Sequence, residues 1–149
     1  METNFLMRRV LNPFMTTVLK SPLHGLVSGS TMLITFTGRK SGKQYATPVG
    51  YMRDGETVLC STEANWWKNL RGGANVTLRI RGRDYEGFAT PISGDIPRIA
   101  EGLRRFLIQN PSWARFADVS LDEEGIPRSE DLERAAESTT LIEIGLLAS

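Results

Sequence analysis

The sequence predicts a single α+β domain built on a mostly antiparallel sheet of about six strands, with an N-terminal helix and further flanking helices. Three observations lead there. From residue 31 onward, short β-rich runs alternate with glycine-containing turn signals. Two stretches, one before and one after most of these strands, carry apolar residues at helical spacing. The length of 149 residues with 40% hydrophobic content is enough for one core and short for two. A small barrel is the natural way for such a sheet to close.

The elements follow in order. Residues 3–20 place Phe5, Leu6, Val10, Phe14, Val18 and Leu19 on one helical stripe, which Pro13 should kink or divide. The stripe either packs on the domain or, with Arg8, Arg9 and Lys20, lies on a membrane surface. The main sheet spans residues 31–91. Strands at 31–36 and 45–52 flank a charged loop, a turn at Asp54-Gly55 leads to a strand at 57–62, and one or two helical turns over 65–73 close on glycine. A hairpin about Arg81–Asp84 would set Arg79, Arg81 and Arg83 on one face opposite Asp84 and Glu86, as cross-strand ion pairs. Asp95 should cap a helix over 95–110 that turns Ile99, Leu103, Phe106 and Leu107 inward and stops at Asn110-Pro111. An acidic loop, a short helix and a closing strand at 139–147 complete the domain.

Composition narrows the function. Net charge is +1, with six Lys/Arg against Glu2 alone in residues 1–50 and three Arg against nine acids in 111–149. That asymmetry suits a local anion site and argues against a nucleic-acid coat. Cys60 and His24 are the only residues of their kinds, so neither an internal disulfide nor a four-ligand zinc site is expected. No apolar run is long enough to span a membrane. The expectation is a cytoplasmic domain, membrane association through residues 3–20 being the alternative.

The loop Gly38-Arg-Lys-Ser-Gly-Lys43 carries three cations and two glycines between two strands. It is either a solvated hairpin tip or a nest whose amides, cations and Ser41 hydroxyl hold a phosphate or carboxylate. Pro48, where the chain re-enters the sheet, should mark an edge or a bulge. Trp66 and Trp67 are adjacent on a short helix and point apart, so one can anchor the core while the other offers a face to a ligand. Lys68 and Arg71 beside them suit a polyanionic tail. Tyr45, Tyr51 and Tyr85 are candidate acids by residue type. No Ser/His/Asp set, carboxylate pair or metal cluster can be assembled, so an enzyme of this sequence would borrow its chemistry from a cofactor.

The segments "SPLHGLVSG", "LITFTGRKSGKQYATPVGYMRDG" and "WWKNLRGGANVTLRIRGR" together resemble the deazaflavin-dependent nitroreductase family. The resemblance implies a split β-barrel and coenzyme F420, with FMN, haem or an apolar ligand as alternatives. Carried over by position, Arg39, Lys40, Ser41, Gly42 and Lys43 would grip the phosphate end, and Thr47, Pro48 and Val49 would run along the ring. Trp66, Trp67, Lys68 and Asn69 would belong to the helix over the cofactor. Tyr51 or Tyr45 would supply a proton. Two features depart from the family pattern: Tyr45 stands where an Arg is usual, and a short "STEAN" segment with Glu63 precedes the tryptophans. The implied activity is hydride transfer from reduced F420 to a quinone, enone or nitro compound. A non-catalytic binding module is the rival reading, and a homodimer formed across the sheet is compatible with the apolar last strand.

Overall fold

Alternation of side chains decides the architecture. In β1 (Thr31–Thr37), Met32, Ile34 and Phe36 are buried in one cluster, and in β4 (Ala74–Ile80), Val76, Leu78 and Ile80 join them. The intervening strands are β2 (Gln44–Asp54) and β3 (Thr57–Thr62), followed beyond β4 by β5 (Arg83–Ile92) and, last in the chain, β6 (Thr140–Leu146). All neighbours pair antiparallel, and the order β1-β2-β3-β6-β5-β4 closes on itself as a six-strand barrel. The computed structural model describes residues 31–115 and 117–147, so the helix expected at residues 3–20, its membrane reading and His24 lie outside the described residues.

Two cores share the sheet. Val58, Cys60, Ile142 and Ile144 point into the barrel, while Leu59 and Leu141, one residue out of phase, point to its outer face. That outer face is covered by α1 (Ile96–Gln109) and α2 (Ser129–Ser138), through Ile99, Leu103, Phe106, Leu107, Leu132 and Ala136. Being buried on both faces in their middles, β3 and β6 carry adjacent apolar residues there, Val58-Leu59-Cys60 and Leu141-Ile142. Asp95 caps α1 by accepting from the Arg98 amide at 3.3 Å, and the Asn110 amide group reaches the carbonyl oxygens of Tyr51 and Phe106, both at 3.2 Å. Among the described residues no helix is long and apolar enough to cross a membrane.

Strand β2 changes partner halfway. Its residues 44–50 pair with β1 and residues 51–54 with β3, so among the described strands the first half has one neighbour only. Pro48 sits in that half, where a missing amide hydrogen costs least, and Pro91 likewise lies beyond the last β4–β5 pair. At the changeover, a Cβ on Gly50 would meet Trp113 at 3.1 Å and Phe106 at 3.2 Å, so glycine lets the end of α1 and the following turn press onto the strand.

Local expectations need correction at the two hairpin turns and hold between them. The β2–β3 turn is Gly55-Glu56, with Asp54 still paired to Thr57, because Gly55 supplies the left-handed conformation at φ 62°. The one or two helical turns expected after β3 form as a 3₁₀ helix over Asn65–Leu70, and Gly72 and Gly73 then turn the chain with positive φ. Arg79, Arg81 and Arg83 do not share one face: Arg83 pairs with the barrel-facing Ile80, Arg79 lies on the opposite side with Asp84, and Arg81 is not in a strand. It forms the β4–β5 turn with Gly82, at φ 51° and 81°. Of the expected ion pairs, Arg79–Asp84 forms at 2.8 Å, whereas Glu86 accepts from the Thr77 hydroxyl.

Candidate functional site

The β1–β2 loop is held in shape before any ligand is considered. The Gly38 amide donates to the Lys43 carbonyl at 2.8 Å, and the Gly42 amide to the Gly38 carbonyl at 3.0 Å. Gly42 takes φ 70° with open space where a side chain would stand. The Ser41 hydroxyl accepts from the Lys43 amide at 3.2 Å and pairs with the Tyr45 hydroxyl at 2.8 Å. Tyr45 closes over Gly38 so tightly that a Cβ there would lie 2.6 Å from its ring. The position that departs from the family pattern is thus the one that clamps the loop.

A second tie joins this loop to the 3₁₀ helix thirty residues later. The Arg39 amide donates to Asn69 Oδ1 at 3.0 Å, and Arg39 Nη1 donates to the Lys68 carbonyl at 3.0 Å. Asn69 Nδ2 in turn donates to the Trp66 carbonyl at 2.8 Å. Both ends of the Asn69 amide are therefore spent on architecture, as is one edge of the Arg39 guanidinium. Trp66 is buried and stacked on Phe36, with ring centroids 5.3 Å apart, while Trp67 is half-buried with the Arg71 guanidinium 5.2 Å over its ring.

The structure thus gathers Arg39, Lys40, Ser41, Gly42 and Lys43 with Trp66, Trp67, Lys68 and Asn69, two segments that sequence alone leaves apart. Lys40, Lys43 and Lys68 are exposed, and the amides of Lys40 and Ser41 have no partner among the described residues. Glu63, the one acid close by in sequence, has its carboxylate engaged by the Ser138 hydroxyl at 3.0 Å. Thr47 and Pro48 are half-buried along the singly paired half of β2, and Val49 points into the barrel. Tyr51 lies six residues from Tyr45, roughly 20 Å along the strand, and is buried in the barrel. The stacking of Phe36 on Trp66 and the packing of Tyr45 over Gly38 were missed in the sequence, where the only signal was an aromatic on each side of the glycine.

Elsewhere, burial pushes the Cys60 thiol up to about 12, which leaves it un-ionised and inert inside the barrel. Arg53 Cζ stands 4.8 Å over the Tyr85 ring and Arg83 Cζ 5.8 Å from it. The Tyr85 hydroxyl is held below the usual tyrosine range, chiefly by a hydrogen bond from Arg53, with the charges of Arg83 and Arg53 assisting against desolvation.

Comparison with known proteins places this geometry. A structure from Listeria innocua described as a putative pyridoxamine 5′-phosphate oxidase superposes with TM-score 0.50 at 13% identity, covering 87% of this chain and 94% of its own. A conserved hypothetical protein from Mycobacterium tuberculosis gives TM-score 0.53 at 18% identity, with 83% and 76% covered. An F420-H2-dependent reductase is a further neighbour, with TM-score 0.48, 16% identity and coverages of 76% and 93%. The first two are similar in fold, the split barrel. No curated protein matches the chain significantly. The profile of the F420H(2)-dependent quinone reductases matches residues 14–119, and the chain therefore belongs to that family of enzymes.

Proposed function

We propose that this chain transfers a hydride from reduced F420 to an electron-poor small molecule such as a quinone, enone or nitro compound. We assign the β1–β2 loop, the 3₁₀ helix and the singly paired half of β2 as the cofactor site. The observation that carries the assignment is the Arg39–Asn69 tie, which fixes a cationic loop against a tryptophan-bearing turn. The donor set fits the cofactor: the lysines, and the Lys40 and Ser41 amides that have no partner among the described residues, suit its phosphate, and a half-strand with one neighbour among the described strands suits its ring.

F420, when bound and reduced, supplies the hydride. The remaining work falls to side chains of this protein. Lys40, Lys43 and Lys68 neutralise the phosphate and the acidic tail. The backbone of Thr47, Pro48 and Val49 orients the ring, and Trp67 offers an apolar wall that keeps water from the acceptor. Tyr45 is the better placed tyrosine for holding a proton beside this site, since its hydroxyl already contacts Ser41, and Tyr51 lies farther along the strand.

Titration of the protein with F420, followed by tryptophan quenching, tests the site. Replacing Lys40 and Lys43 together with Ala should weaken F420 at least about tenfold while the melting temperature stays unchanged. Undiminished affinity would remove the loop from the cofactor site. A parallel titration in which FMN binds in preference would keep the fold and reassign the cofactor, and reoxidation of reduced F420 across the acceptor classes identifies the substrate.

A further inference from the structure

At the end of the barrel opposite the lysine loop, β2 and the β4–β5 turn border a recess of about 450 Å³. Arg53, Arg81 and Arg83 stand on its border, with Tyr85 between two of them and Tyr51 and Ile80 among the lining. It lies roughly 30 Å along β2 from Lys43.

The charge arrangement at this recess is one-sided. No Asp or Glu lines the recess, and Asp84 and Asp54, next in sequence to Arg83 and Arg53, are engaged by other arginines, Arg79 at 2.8 Å and Arg105 at 3.0 Å. Arg53 donates to the Gly55 carbonyl and engages Tyr85, Arg83 faces the same ring, and Arg81 has no partner among the described residues. Three guanidiniums thus share one recess without an acid. Their mutual repulsion falls when an anion enters, and the Tyr85 ring holds two of them in place beforehand.

We propose that this recess is a second anion site, separate from the cofactor loop, which takes a phosphate ester. Three guanidinium forks call for more acceptor oxygens than one carboxylate offers, and a phosphate dianion supplies three. The recess is far larger than a phosphate, and Tyr51, Ile80 and Tyr85 give the organic part of the ester an apolar bed. The ester is either a free metabolite or a lipid headgroup, since both present the same terminal group.

Sodium pyrophosphate is the probe, titrated calorimetrically into the full chain carrying Lys40→Ala and Lys43→Ala, so that the cofactor loop does not compete. Binding should be measurable at low salt, weaken as salt rises, and fall about tenfold on adding Arg53→Gln and Arg83→Gln. Arg81→Asn, which keeps a residue tolerant of positive φ in the turn, should weaken it by a smaller factor with an unchanged melting temperature. Vesicles of phosphatidic acid in phosphatidylcholine form the second arm: sedimentation abolished by the same variants assigns the phosphate to a lipid, and its absence beside pyrophosphate binding assigns it to a soluble ester. No binding of either probe, or binding indifferent to both the Arg53/Arg83 and the Arg81 variants, overturns the proposal.

Discussion

At Tyr85 two guanidiniums meet one ring, and the consequence is measurable. A hydrogen bond from Arg53 and the charges of Arg83 and Arg53 favour the tyrosinate, so its folded pKa lies below the usual tyrosine range. A depressed pKa contributes stability that is present above the unfolded value and lost as pH falls through the folded one. Tyrosinate absorbance of the native protein should therefore begin to rise at lower pH than that of the unfolded chain. Arg53→Ala should move that early phase back up, and Tyr85→Phe should delete it. An unchanged titration in Arg53→Ala would show that Arg53 does not set the ionisation. The arginines of this hairpin are visible in the sequence, but their neighbours are not. Arg53 belongs to β2 and Tyr85 to β5, and only barrel closure sets them 4.8 Å apart.

Among the elements, α1 was the most legible, since its cap, its buried stripe and its proline stop are all local in sequence. Where it docks was not. Gly102 faces Leu141 of β6, and a Cβ there would lie 2.5 Å from one Leu141 methyl and 2.9 Å from the other. Leu141 is itself buried and has nowhere to retreat. Gly102→Ala should gain about 1 kcal/mol of helix propensity and lose about 1–3 kcal/mol to overpacking. Net destabilisation is the expected result of a denaturant melt, and a net gain would mean that α1 can slide on the barrel. The β1–β2 loop behaves in the opposite way. Its composition was plain, yet its attachment to the 3₁₀ helix turns on a hydrogen bond across thirty residues to Asn69.

For the whole molecule, the relevant fact is that one sheet serves two cores, the barrel interior and the layer under α1 and α2. Because β3 and β6 contribute to both, the layers should unfold together. Leu107→Ala, in the helical layer, should cost about 2–5 kcal/mol. Its helical signal in circular dichroism and its tryptophan fluorescence should still show coincident transitions. Separated transitions would mean that the helices detach while the barrel survives.

The sequence by itself determined the α+β class, the approximate positions of the described strands and helices, the lysine loop and the family resemblance. These depend on side-chain period, turn residues and short motifs, all of which act over a few neighbouring residues. Only the tertiary structure decided that the sheet closes, that β2 trades β1 for β3 at Gly50, and that Trp66 stacks on Phe36 while Asn69 secures the loop. It also left three arginines around a recess without an acid of their own among the described residues. Those outcomes depend on pairings between segments far apart in the chain, and local spacing carries no record of which partner a strand or a guanidinium will meet.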